Sequence, residues 1–304
     1  MSAAKKLRSA VRTGDAAMRA LVDTLEKVVD HDVSILLLGE SGSGKNFLAQ
    51  AIHAGGARRD KPFVHIDCAS IPADLFESEL FGYEKGTFTD AAARKLGKLE
   101  MARGGTVYFD EIAALAPPLQ AKLLRAMEEK RFTRLGGHAA VPFDARVISS
   151  SSADTSALRR DLFYRINVVT VTIPPLRERA KDIVRLARAF LGRRKRIADE
   201  TVAILEEYTW PGNVRELKNA MERAVLVEDS DMITPDALPP LEGELIVTAA
   251  RRRWTLGELE ERYIAEVLRQ TRGNMTKAAE ILGISRKTLW EKQKQKAKSK
   301  KQKS

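Results

Sequence analysis

The chain's 304 residues are 44% hydrophobic and 31% charged, with a formal net charge of +11. That balance suits a globular protein with room for one large domain and one or two small ones. No apolar run approaches the ~18 residues of a membrane helix and no signal-peptide pattern opens the chain, so the expectation is a cytoplasmic protein with no membrane partner. Cys68 is the single cysteine, which excludes an intrachain disulfide and fits a reducing compartment.

The charge is unevenly spread. Residues 251–304 hold 16 Lys and Arg against 6 Glu, whereas the first 250 hold 36 basic and 35 acidic residues. A neutral body with a basic appendage of net +10 points to a polyanion partner. The Lys/Gln/Ser run at 294–304 equally fits a disordered, solvated tail.

In chain order, Met18, Leu21, Val22, Leu25, Val28 and Val29 recur at helical spacing. An apolar run at 33–38 then enters Gly39-Glu40-Ser41-Gly42-Ser43-Gly44-Lys45-Asn46, and residues 47–52 resume helical spacing. Strand, glycine-rich loop and helix form the setting in which G-x-x-x-x-G-K cradles a polyphosphate. Glycines let backbone N–H groups converge on phosphate oxygens, the helix N-terminus adds partial positive charge, and Lys45 adds a full one. A plain Gly/Ser turn with a solvated lysine is the alternative, and the flanking strand and helix argue against it. Asn46 stands where Ser or Thr usually helps hold magnesium, so the loop alone does not decide catalysis.

Further strands are expected at 63–66, 106–109, 146–148 and 168–173, with helical patterns between them, as in a parallel α/β sheet. The strand at 106–109 runs into Asp110-Glu111. In a phosphate-loop protein such carboxylates hold magnesium and orient the attacking water, which assigns Asp110 to the metal and Glu111 to the water. Beyond Pro174-Pro175, residues 178–228 read as helices alone, broken at Trp210-Pro211-Gly212-Asn213, with Asn213 placed to cap the helix that carries Arg215. Pro235, Pro239 and Pro240 mark a linker.

In the last segment Leu256, Leu259, Tyr263, Ile264 and Val267 line one helix. Gly273-Asn274 precedes a second helix over 275–282, and Gly283-Ile284-Ser285 turns the chain into a third at 286–291. Two short helices around a glycine turn predict a helix-turn-helix, the second helix entering the major groove. A small helical dimerisation module is the alternative, disfavoured by the charge.

Four longer segments carry a resemblance. Gly82-Tyr-Glu-Lys-Gly-Thr-Phe-Thr-Asp-Ala91, Gly104-Gly-Thr-Val-Tyr-Phe-Asp-Glu-Ile112, Pro174-Pro-Leu-Arg-Glu-Arg179 and Trp210-Pro-Gly-Asn-Val-Arg-Glu-Leu217 resemble signatures of the sigma-54-dependent transcriptional activators. These are AAA+ ATPases that remodel promoter-bound RNA polymerase carrying the sigma-54 factor. The resemblance runs from about residue 15 to residue 292. It implies an N-terminal extension at 1–14, an α/β AAA+ core with helices on both faces of its parallel sheet at 15–175 and a helical lid at 176–240. A linker at 241–253, a Fis-type helix-turn-helix at 254–293 and a basic tail at 294–304 would follow.

The same resemblance implies a ring, commonly a hexamer, with ATP and Mg2+ held between neighbours. Arg159 and Arg165 match the arginines that reach the next subunit's site, where a guanidinium in trans offsets charge on the transferred phosphoryl group. Arg215 matches the nucleotide-sensing lid arginine, and Trp210 is expected to pack the lid. Phe88 and Thr89 match the sigma-factor contact. Arg286, Lys287 and Thr288 are the candidates for contacts to upstream enhancer DNA.

This sequence also departs from the family pattern. The surface loop usually reads Gly-Ala-Phe-Thr-Gly-Ala, and here Asp90 replaces its second glycine and restricts the backbone. Asp67 stands where an asparagine restrains the catalytic glutamate. Ser149-Ser150-Ser151-Ser152 replaces Ala-Ala-Thr-Asn, placing Ser152 at the sensor asparagine. Glu291 and Gln293 sit where basic and apolar residues are usual. These changes keep a second reading open, a DNA-binding regulator that uses nucleotide for assembly only. A general AAA+ motor such as a helicase loader is disfavoured by the loop at 86–91 joined to a Fis-type segment. With about 14 residues ahead of the matched region, control is expected from a regulatory partner protein or from expression level.

Overall fold

The computed structural model describes residues 3–88, 91–152, 154–192, 195–239, 253–271 and 273–292. The chain divides into two compact units at residue 239. In the first, helices α1 (Ala3–Ala10), α2 (Ala16–Val28), α3 (Lys45–Gly55), α4 (Ala73–Phe81), α5 (Lys98–Met101), α6 (Pro117–Glu129) and α7 (Arg160–Ile166) alternate with strands. The strands are β1 (Ile35–Leu38), β2 (Phe63–Asp67), β3 (Gly82–Tyr83), β4 (Lys95–Leu96), β5 (Thr106–Asp110), β6 (Arg131–Thr133), β7 (Ala140–Pro142), β8 (Arg146–Ser151) and β9 (Val169–Thr172).

Five of these strands form one all-parallel sheet in the order β2-β5-β8-β1-β9. The expected α/β architecture is therefore present. β1, β5 and β8 are almost continuously buried, as strands covered on both faces must be. Successive side chains point to opposite faces. Leu36, Val107, Phe109 and Val147 pack into one core, and Ile35, Leu37, Tyr108, Ile148 and Val171 into the other. The strand order sets β8 between β1 and β5, which brings the C-terminal ends of all three strands side by side, the edge where open α/β sheets hold their ligands.

The first residues do more than extend the chain. Leu7 and Val11 are buried in the core with α2 and α3, and Arg8 pairs with Asp23 and Glu26. The short hairpins β3–β4 and β6–β7 were not legible as strands, because two or three residues leave no period-2 pattern.

Helices α8 (Ala180–Leu191), α9 (Asp199–Glu207) and α10 (Asn213–Val227) complete this unit. The helices-only expectation for 178–228 needs one correction. A two-residue strand, β10 (Arg196–Ile197), pairs in parallel with β11 (Met232–Ile233). Trp210 is fully buried, its Nε1 donating to the Leu205 carbonyl at 2.8 Å, in keeping with a packing role.

The second unit holds α11 (Leu256–Gln270), α12 (Met275–Leu282) and a helical stretch at 286–292. Asn274 caps α12 by accepting from the Thr276 and Lys277 amides, and Gly283 closes it at φ 64°. Ile264, Val267, Ala278, Ala279 and Leu289 form the small core. Leu256 and Tyr263, expected on the buried stripe, are exposed (85% and 46%), and the small core draws its fully packed residues of α11 from Ile264 and Val267. The expected tail at 294–304, most of the linker, Thr89, Asp90 and Gln293 lie outside the described residues.

Candidate phosphate-loop site

β1 ends in the loop Gly39–Gly44, and α3 begins at Lys45. Gly42 sits at φ 75°, and a Cβ there would lie 2.3 Å from the Gly212 carbonyl, so both conformation and space require glycine. Lys45 is 6% exposed. Its ammonium donates to the Gly39 carbonyl at 2.8 Å and lies 2.9 Å from Glu111 Oε1. Ser43 Oγ is buried without a hydrogen-bond partner among the described residues. Asn46 is exposed, its amide oxygen accepting from Gln50.

Asp110 ends β5 in register with Asp67 of β2. Its Oδ1 accepts from the Tyr108 hydroxyl at 3.0 Å and from Ser150 Oγ, while His65 Nε2 lies 3.6 Å from Oδ2. Burial pushes the Tyr108 phenol well above its usual pKa, which keeps it a donor. Cys68, next along from β2, is a buried free thiol whose pKa is raised chiefly by burial. Glu111 adopts a left-handed backbone (φ 52°, ψ 53°), rare for a residue with a Cβ. Its amide donates to Ser150 Oγ, and its Oε2 accepts from the Ser152 amide at 3.0 Å. Asp67 instead turns its Oδ1 to the Ala69 and Ser70 amides.

The helical lid folds back on the loop. Asn213 does not cap α10 as expected. It is the first residue of the helix and is fully buried. Its Nδ2 donates to Glu40 Oε2 and the Ser41 carbonyl, and its Oδ1 accepts from the Leu176 amide at 2.7 Å. Asparagine tolerates the φ of 53° found there, and tertiary partners outcompete the local cap. Arg177 grips Glu40 with two hydrogen bonds of 2.7 and 2.9 Å, which, with Asn213, holds that carboxyl below the usual glutamate range. The buried Arg179 donates to the Ser43 carbonyl at 2.6 Å, and Arg215 reaches Ser41 Oγ at 3.1 Å. Arg177, Arg179 and Ser150 carried no separate signal in the sequence, because each acts through a partner far away in the chain.

Other expected residues are not gathered here. Arg159, at the start of α7, forks onto Asp161, and Arg165 donates to the Met127 carbonyl. Phe88 is 44% exposed with its ring edge-on to Tyr83. The surface loop carrying it is tied to the β6–β7 connection: Thr87 Oγ1 donates to the Leu135 carbonyl, and Arg134 pairs with both Glu84 and Glu100 at 2.7 Å. In the second unit Arg286 and Lys287 are exposed at the start of the last helix. Thr288 Oγ1 lies 2.8 Å from Ser285 Oγ, which accepts the Thr288 amide, so that hydroxyl belongs to the helix cap. Among the described residues no helix is long and apolar enough to cross a membrane.

Comparison with known proteins follows these divisions. Residues 11–172 match the Sigma-54 interaction domain, residues 177–245 the AAA+ ATPase lid domain, and residues 255–295 the Fis family of bacterial regulatory proteins. The chain is 40% identical over 307 residues to the transcriptional regulatory protein FlbD of Caulobacter vibrioides, covering 90% of this chain and 68% of that protein. It is 42% identical over 295 residues to the transcriptional regulatory protein ZraR of Klebsiella oxytoca, covering 91% and 67%. The crystal structure of NtrX from Brucella abortus in complex with ATP superposes with a TM-score of 0.67 at 33% identity, covering 94% of this chain and 68% of that one. The chain thus spans about two thirds of these relatives' length.

Proposed function

The chain belongs to the sigma-54-dependent transcriptional regulators, with a sigma-54 interaction domain, an AAA+ lid and a Fis-type helix-turn-helix for DNA, and on that premise we propose that it hydrolyses ATP to remodel sigma-54 RNA polymerase. The observation that carries this reading is the Lys45–Glu111 pair beside a glycine loop, with Asp110 at the end of the carboxylate strand β5. NtrX, similar over 94% of this chain, was solved with ATP. ATP phosphates would draw Lys45 off Glu111, since a polyphosphate offers it more negative charge. Glu111 is then free to accept a proton from the attacking water. The water oxygen bonds to the γ-phosphorus as the bond to the β–γ bridging oxygen breaks, and ADP leaves with that electron pair.

Asp110 fits a magnesium-holding role by its chemistry. Mg2+ takes most of its ligands from phosphates and water, so one carboxylate beside an anion cradle suffices. Bound there, the cation would offset charge on the phosphate oxygens. Arg159 is bonded to Asp161 and Arg165 to the Met127 carbonyl rather than to their own subunit's loop, which suits action on a neighbour in a ring, commonly a hexamer. Phe88 and Thr89 on the surface loop would meet the sigma factor, while Arg286 and Lys287 hold enhancer DNA, in the cytoplasm and under a regulatory partner protein.

The second reading, nucleotide for assembly only, is favoured by Asp67, whose carboxylate is engaged with its own turn rather than with Glu111. Purified protein, ATP and sigma-54 holoenzyme on enhancer-bearing promoters separate the two. The activator reading expects ATP-dependent open complexes, raised or unchanged by Asp90→Gly. Hydrolysis without open complexes on any such promoter sinks it.

A further inference from the structure

The fully buried Ser150 hydroxyl touches both carboxylate residues at once. It donates to Asp110 Oδ1 at 2.5 Å and accepts the Glu111 amide at 3.1 Å. The strand order explains how. β8 lies between β1 and β5, its Ser150 stands opposite Leu37, and Ser149 ends the ladder opposite Phe109. Ser150 therefore sits beside the point where β5 releases Asp110 and Glu111. We propose that Ser150 is a positioning residue for the site, orienting the metal-holding carboxylate and the backbone of the catalytic glutamate through one hydroxyl.

Two features give that hydroxyl its effect. Tyr108 and Ser150 both donate to Oδ1 of Asp110, which saturates that oxygen and leaves Oδ2, with His65 Nε2 3.6 Å away, to be offered to a cation. Glu111 holds a left-handed backbone that a residue with a Cβ keeps only when its surroundings impose it. The Ser150 acceptor on its amide is one of those surroundings, and the Ser152 amide on its carboxylate is another. Asp67 at the end of β2 bonds its own turn, so Ser150 supplies from β8 an ordering that β2 does not.

The inference rests on the ATPase reading, and a Mg2+ titration of fluorescent ATP-analogue binding to the full chain separates the two. Ser150→Ala is expected to raise the Mg2+ half-saturation about tenfold and lower kcat about tenfold, the scale of a lost buried hydrogen bond to a charged group. Its analogue affinity in EDTA should stay within about twofold, because the phosphate loop is untouched. Tyr108→Phe removes one Oδ1 donor but leaves the Glu111 amide paired, so it should raise the Mg2+ requirement with a smaller fall in kcat, about threefold. Thermal unfolding of each variant reports folding separately.

A Ser150→Ala protein that melts lower but keeps its Mg2+ half-saturation and kcat makes the serine merely structural and overturns the proposal. Equal kcat losses in the two variants overturn the part that concerns Glu111. If the unsubstituted chain binds the analogue but does not hydrolyse ATP, the ATPase reading falls, while the Mg2+ titration still decides the Asp110 part. A chain that binds no analogue with or without Mg2+ overturns both.

Discussion

At the C-terminal edge of the sheet, Lys45, Ser150 and Asn213 are buried, and with the half-buried Asp110 and Glu111 they are already bonded into one site. Lys45 rests on Glu111, Ser150 on Asp110, and Asn213 on the loop. On the surface loop, on α7 and in the second unit, the side chains expected to meet macromolecules stand in solvent. Phe88, Arg159, Arg286 and Lys287 are all exposed. The contrast follows from ligand size. A small polyanion can be enclosed by preorganised donors that lose little entropy on binding, whereas a protein or duplex must bring its own surface to complete the contact. The enclosed site should therefore fail through misplacement, and the open ones through loss of a partner.

The largest expected effect breaks the contrast on the open side. Arg159→Ala should lower ATP turnover of the assembled protein about a thousandfold while leaving analogue affinity unchanged. Mixing it with Glu111→Gln subunits should restore part of the rate, and a rate loss already present at dilutions that forbid assembly would show that the arginine acts within its own subunit. Next, Lys45→Ala should weaken ATP binding at least about a hundredfold in a fluorescence titration, since it removes the ammonium that the phosphate loop itself supplies. Near-normal affinity would leave the loop without its assigned ligand.

Asn213→Ala sharpens the enclosed side. It removes three tertiary hydrogen bonds and puts alanine at positive φ, for an expected loss of about 2–3 kcal/mol in denaturant unfolding. A change below about 0.5 kcal/mol would mean that the lid does not depend on this clamp. The smallest effect belongs to the DNA-facing helix. Arg286→Ala should weaken enhancer-site affinity about tenfold in anisotropy titrations and relax discrimination among sites, with no change in stability. Equal weakening on every sequence would instead make Arg286 a phosphate contact.

What could be read from the chain alone tracks how local each signal is. The glycine loop, the strand at 106–109 with its two carboxylates and the glycine turn at 283 announce themselves within a dozen residues, and the structure places all three as expected. The lid clamp did not announce itself. Arg177 and Glu40 are 137 positions apart, and Asn213 and Glu40 173 apart. Asn213 was legible as a helix-start residue, and only its burial under Leu176 and the loop turned it into a fastener. Ser150 looked like one serine in a run of four until the sheet order set it beside Asp110.

Periodicity, glycine placement and charge act over short stretches of chain, so the phosphate loop, the carboxylate strand, the helical lid and the basic helix-turn-helix can be read from the order of amino acids. The folded arrangement is what sets Lys45 against Glu111, closes the lid on the loop through Asn213 and Arg177, and joins the two carboxylate residues through Ser150. Those contacts depend on the strand order and on buried groups finding partners. Chain folding chooses those partners from distant positions, and no local pattern records the choice.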